Sequence, residues 1–129
     1  MTIKDYHKIR ILQGFLLVSS ILGFIIFDFQ YTILGILVYC FLETFGGNIG
    51  LHRYFCHKQF TTTKIYHHLL MFFSHYISVG SVLSWVGQHR WHHENADTKE
   101  DQHSPYFKSL VNIFFGVWEM NIPRKYVKD

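Results

Sequence analysis

The stretch Tyr31-Thr32-Ile33-Leu34-Gly35-Ile36-Leu37-Val38-Tyr39-Cys40-Phe41-Leu42 carries no charge, and its apolar character continues to Leu51, interrupted by Glu43, Thr44 and Asn48. A membrane-spanning helix needs ~20 predominantly apolar residues, so residues 31–51 read as one span. Upstream, residues 11–27 contain no charged side chain and read as another, with Asp28 and Gln30 marking a tight turn between the two. The pattern predicts an all-α protein built on an integral membrane helical hairpin. Lys4, Lys8 and Arg10 precede the first span, while Arg53, Lys58 and Lys64 follow the second. By the positive-inside tendency both flanks face the cytoplasm. No small-residue cleavage site ends the first run and a second follows at once, so the first is expected to be a retained helix rather than a secretory signal.

Composition agrees. Of 129 residues, 49% are apolar and 16% charged, against about a quarter charged in an ordinary soluble domain. The length allows one domain or a piece of one. The net charge of +3 is small and scattered, which argues against nucleic acid as a partner. Cys40 and Cys56 fall in or near the membrane on the reducing side and read as free thiols.

Within the second span, Gly46, Gly47 and Gly50 permit close helix contact. Glu43 is the odd residue. A carboxyl inside a membrane helix is costly and functional by default, although a place near the helix end also suits a plain interfacial side chain. Residues 65–83 again lack Asp, Glu, Lys and Arg, but His67, Ser74, Ser78 and Ser81 form a thin polar stripe, with His68 and His75 beside it. That suits a helix lying in the membrane interface, its histidines polar edge residues rather than ligands. Residues 94–108 form a hydrophilic segment broken by Pro105, and residues 110–120 a short apolar helix.

Histidine carries the chemistry. In Gln88-His89-Arg90-Trp91-His92-His93 three imidazoles fall at i, i+3 and i+4, which share one face of an α-helix. Three imidazoles without thiolates suit iron, zinc or copper. A second group, His52 and His57, lies at the end of the second span. Five residues do not share an α-helical face, so His52 is expected to end that helix and His57 to lie past a break. The bland alternative makes both groups interfacial polar residues. The chain-flat reading of residues 65–83 follows from the same logic, because a single crossing there would part the two groups.

Gly50-Leu51-His52-Arg53-Tyr54-Phe55-Cys56-His57 resembles the first histidine box of membrane fatty-acyl desaturases of the Δ9 type. Ser84-Trp85-Val86-Gly87-Gln88-His89-Arg90-Trp91-His92-His93 resembles their second box, and Asp97-Thr98-Lys99-Glu100-Asp101-Gln102-His103-Ser104-Pro105 the acidic segment that follows it. The resemblance implies a non-haem di-iron enzyme that uses O2 to remove two hydrogens from a fatty acyl-CoA or acyl-lipid and leave a cis double bond. It implies electrons from ferredoxin or cytochrome b5, a multi-pass membrane location, and histidine boxes on the cytoplasmic side. It implies His52, His57, His89, His92 and His93 as ligands of two iron ions. Arg53 and Arg90 would orient carboxylates or meet the acyl carrier's phosphates, with surface salt partners as the alternative. Asp97 and Asp101 would accept histidine N–H groups, or be solvated loop acids. Trp85 would line the acyl tunnel or simply pack, and Cys40 and Ile36, turns before His52, would limit chain length. His103 matches a family position outside the ligand set.

The family continues through two more membrane helices and a third box, His-Asn-x-His-His. The chain therefore corresponds to an N-terminal portion, and five histidines are expected to bind iron weakly and to be inactive alone. A non-catalytic scaffold that binds a partner chain and a related di-iron hydroxylase are the other readings. His93-Glu94-x-x-Asp97 also lies near the His-Glu-x-x-His pattern of zinc proteases.

Overall fold

The structure is a computed structural model that describes residues 6–26, 28–77, 79–101, 103–110, 113 and 122–128. The regular structure among the described residues is all helical, without a strand. Helix α1 covers Tyr6–Ile26, α2 Phe29–Leu42, α3 Lys64–His75 and α4 Val82–Asn95, and a 3-10 turn covers Arg124–Tyr126. Phe27, the side chains of the basic residues ahead of the first span, and all of residues 110–120 except Leu110 and Ile113 lie outside what is described.

Helix α2 does not stop at residue 51. It passes without interruption into a π-helical segment, Glu43–Cys56. Together they make a 28-residue helix, Phe29–Cys56, long and apolar enough to cross a membrane. The apolar part of α1, Gly14–Ile26, is shorter. Along both, large side chains such as Phe15, Phe24, Leu34 and Leu37 are exposed, as expected of surfaces that meet lipid. Among the described residues the tertiary contacts are made by the π segment, α3, α4 and the 3-10 turn rather than between α1 and α2.

π-helix is rare and usually limited to a single turn. Here it persists for 14 residues, and the glycines account for part of its tolerance. Helix α3 packs antiparallel against it. Gly50 faces Leu70 and Ser74, and Gly46 faces Phe73 and Ile77 so closely that a Cβ at Gly46 would meet the Phe73 carbonyl oxygen at 2.5 Å. The Ser74 hydroxyl uses that closeness to donate to the Gly46 carbonyl, 2.9 Å away. Phe41 and Phe45 continue the seam onto Phe73. The expected close contact at these small residues is therefore present at Gly46 and Gly50.

The segment anticipated as one flat helix over residues 65–83 is two pieces. Thr63 caps the start of α3. The helix ends at His75, and Gly80, at φ +97°, turns the chain. Ser81 then caps α4, its hydroxyl accepting the Ser84 N–H at 3.1 Å. Twelve residues span ~18 Å, too little to cross a bilayer. Helix α3 instead returns the chain part-way along the π segment, and α4 comes back toward its C-terminal end. Both histidine groups thus meet at one end of the bundle.

The far face of α4 is packed by the chain's last described residues. Ile122, Tyr126, Trp91 and Val127 form a small apolar core, approached closely at Gly87, where a Cβ would stand 2.7 Å from Val127. Both cysteines are free thiols.

Candidate metal centre

On an α-helix at 3.6 residues per turn, positions five apart lie ~140° from each other. The π segment removes that obstacle. The His57 backbone N–H donates to the His52 carbonyl at 3.0 Å, an i→i+5 bond that places the two residues one wide turn apart. Their rings stand 4.6 Å apart between centroids. The helix was expected to break before His57; it widens instead.

Helix α4 supplies the partners. His89 lies 4.9 Å from His52, His57 lies 4.9 Å from His93, and His89 lies 4.6 Å from His93, all between ring centroids. One nitrogen from each of His52, His57, His89 and His93 falls within 4.8 Å of the others. Trp85, one turn before His89, stacks on it at 4.6 Å and 13° between planes. Burial, followed by the charges that His93, His52, His57 and His92 would carry, lowers the His89 pKa to about 4. Burial, then His52, His93 and Arg90, lower that of His57 too. His89 and His57 are therefore biased toward the uncharged imidazole, the form that ligates a metal. Four imidazole nitrogen donors and no thiolate fit a first-row transition metal such as iron.

His92 does not converge with them. It turns to the loop after α4, where Asp101 accepts from its Nδ1 at 2.9 Å. Asp101 is fully buried and also accepts the backbone N–H groups of Asp97 and His103, at 3.1 and 2.8 Å. Burial alone would raise its pKa, but the hydrogen bonds from His92, His103 and Asp97 outweigh it and the net shift is downward. His103 packs 5.4 Å from His92, and burial first, then His92, lowers its pKa against the pull of Asp101. His92, Asp101 and His103 form a second group whose donor atoms also lie within 4.8 Å of one another. Three hydrogen bonds already occupy the carboxylate, so it suits orienting His92, whose Nε2 stays available.

Other anticipated residues fall differently. The Arg90 guanidinium donates to the carbonyls of Phe55 (3.2 Å), Cys56 (3.2 Å) and Tyr126 (3.2 Å), caging the end of the π segment. Arg53 donates to the Gln59 side chain on the exposed side. Asp97 contributes a backbone N–H from the left-handed region, φ +59°, while its side chain is exposed. Cys40 and Ile36 lie on the exposed surface of α2. Glu94 pairs with Lys125 at 2.8 Å, and among the described residues neither Glu94 nor Asp97, the second ligand position of the zinc-protease pattern, joins a histidine group. His67 shares a hydrogen bond with the Tyr54 hydroxyl, and the His75 Nδ1–H donates to the Met71 carbonyl. Among the described residues neither they nor His68 belongs to a group that could hold a metal.

One feature outside the histidines had gone unassigned. An open groove of about 390 Å³ runs from His52 and Trp85 past Asn48 to Glu43, closed on its other side by Ile77 and Val79. Only a carboxyl within an apolar span could have signalled it.

An all-helical chain whose membrane-length helix ends in a cluster of imidazoles has the apolar span of a membrane-associated protein and a histidine group that could hold a metal ion. Three curated relatives make the class specific. The chain is 40% identical over 75 residues to Hex-5-enoyl-[acyl-carrier protein] acetylenase of Moorena producens (58% of this chain, 23% of that protein). It is 31% identical over 88 residues to sn-1 stearoyl-lipid 9-desaturase of Anabaena variabilis (67% and 32%). It is 30% identical over 117 residues to sn-1 stearoyl-lipid 9-desaturase of Synechocystis sp. (85% and 36%). The chain thus spans about a quarter to a third of the length of these relatives. No family model and no solved structure matches it. The chain belongs to the fatty acid desaturase family.

Proposed function

We propose that this chain supplies part of the di-iron centre of a fatty-acyl desaturase. The observation that carries the reading is the convergence of His52, His57, His89 and His93 from two helices, with donor nitrogens within 4.8 Å of one another. His92, oriented through Asp101, is the fifth ligand. Iron bound there would supply the O2-dependent removal of two hydrogens from an acyl chain, with ferredoxin or cytochrome b5 as electron source, to give a cis double bond.

The protein's own share is geometric and electrostatic. The π turn brings His52 and His57 to one face, and α4 presents His89 and His93 to them. Burial and the neighbouring imidazoles favour the uncharged form of His89 and His57. Trp85 fixes the His89 ring by stacking and walls the groove beside it. The relatives' names include acyl-carrier-protein, acyl-lipid and acyl-CoA substrates, so the acyl chain is the shared element. In this reading the chain is a multi-pass membrane protein with its histidines on the cytoplasmic face. Five imidazoles alone hold metal weakly and do not complete turnover.

The test is anaerobic titration of the purified, detergent-solubilised chain with Fe(II) or Co(II). Saturable binding that is lost in His89→Ala and His57→Ala is expected. A chain that binds no metal, or whose binding ignores both substitutions, overturns the reading.

A further inference from the structure

The groove beside the histidine cluster has two unlike walls. Ile77 and Val79 line one side, while the π segment presents Glu43, Asn48 and His52 to the other. Glu43 is partly buried. Its side chain lies over Gly47, with Oε2 where a Cβ on that glycine would be 2.9 Å away. The absence of a side chain at Gly47 thus lets the carboxyl fold along the groove, in the direction of Asn48 and His52, rather than stand out toward lipid. Glu43 also sits midway along the Phe29–Cys56 span, where a carboxyl is tolerated only for a reason.

Resting on the reading of the centre as an acyl desaturase, we propose that Glu43 closes this groove to long hydrocarbon tails, so that acyl chains with a short segment beyond the histidines are preferred. Nine residues separate Glu43 from His52. That is at most ~14 Å at the α-helical rise, and less in the wider π winding. A saturated tail that ends before this point meets Leu51, Ile77, Val79 and Trp85. A longer one must cover a carboxyl with methylene groups that offer it no hydrogen bond, which is unfavourable. Cys40 and Ile36, three and seven residues further along, lie on the outer surface of α2.

The test uses the full chain in detergent micelles, with tryptophan replaced biosynthetically by 5-fluorotryptophan and the Trp85 fluorine resonance assigned through Trp85→Phe. Saturated fatty acids of six to eighteen carbons, the probes used, are titrated in turn, about the span of chain lengths over which a ~14 Å limit would act. Short chains are expected to shift the Trp85 resonance, with apparent affinity falling about tenfold once the tail reaches Glu43. Glu43→Leu is expected to abolish that fall, and Glu43→Gln, which keeps size and hydrogen bonding, to retain most of it. Helicity measured on each variant keeps a misfolded chain from being scored. If chains bind at Trp85 without length dependence, or Glu43→Leu leaves the dependence intact, the role of Glu43 is wrong while the acyl reading stands. If no chain moves Trp85, the groove is no acyl site and both fall.

Discussion

The imidazoles of His89 and His93, one helical turn apart on α4, face each other with Nε2 atoms 3.0 Å apart. Two bare nitrogen lone pairs do not rest at that distance; one nitrogen carries the hydrogen, or a cation stands between them. The pair is thus poised to chelate, and His52 and His57 complete a nitrogen pocket around it. Replacing either His89 or His93 with alanine is expected to weaken Co(II) binding by more than the about 10–100-fold that loss of an outer hydrogen-bond partner brings. His68→Ala, outside the cluster, should leave it unchanged. Chelator competition followed by visible absorption measures both.

Asp101 is the residue on which the second group depends. It is fully buried and accepts three N–H groups, so removing its carboxylate leaves donors without a partner at a cost of about 1–3 kcal/mol each. Asp101→Ala should therefore lower the unfolding free energy by several times the loss from Asp97→Ala, whose side chain is exposed. Asp101→Asn, which keeps the shape, should unfold less readily than the alanine variant yet lose about 10–100-fold in metal affinity through His92. The sign of the pH effect follows from the direction of the shift. A carboxyl held below its ordinary 3.8 in the folded chain contributes fully above that value, and the contribution is lost as pH falls through and below it. Thermal unfolding of wild type and Asp101→Asn should converge on acidification below about pH 4.

Arg90 ties three parts of the chain together through the carbonyls of Phe55, Cys56 and Tyr126. Lysine keeps the charge but offers a single point of donation in place of a planar fork. Arg90→Lys is thus expected to leave two of those carbonyls without a charged donor and to cost about 1.5–3 kcal/mol per bond lost. The readout is the melting temperature in detergent, with metal affinity as a second measure, since the end of the π segment carries His57.

Much of this was legible in the residues, and the remainder failed for identifiable reasons. The all-helical class and the pairing of the two histidine groups follow from apolar runs and from the composition of the boxes. Asp101 could be singled out as an acid close behind His93. The adjacency of His52 and His57 could not be read, because sequence periodicity assumes α-helical winding, whereas a π turn is sustained here by the contact between Gly46, Gly50 and α3. The departure of His92 from its neighbours was equally hidden. Positions i+3 and i+4 share a face only coarsely, and a buried carboxylate on the following loop decides which way the ring turns. Arg90 adds a third kind of contact. Its target is backbone carbonyl, which no side-chain pattern announces.

The glycines of the π segment provide the sharpest separation between packing and chemistry. A Cβ at Gly46 would stand 2.5 Å from the Phe73 carbonyl oxygen, a rigid backbone atom. At Gly50 the nearest atom is the Ser74 hydroxyl, also at 2.5 Å, which can rotate but only by giving up its hydrogen bond to the Gly46 carbonyl. At Gly47 it is the far end of the Glu43 side chain, free to move. Alanine should therefore be most costly at Gly46, about 1–3 kcal/mol or more by overpacking, intermediate at Gly50, and least at Gly47. Because α3 holds the π winding, Gly46→Ala should also weaken Co(II) binding at His52 and His57 although it lies over a turn away. Gly47→Ala should instead spare the metal and disturb the groove at Glu43. Melting curves together with Co(II) spectra of the three variants check the order. Equal losses at all three positions would mean that the glycines serve only helix flexibility and that α3 does not set the geometry of the centre.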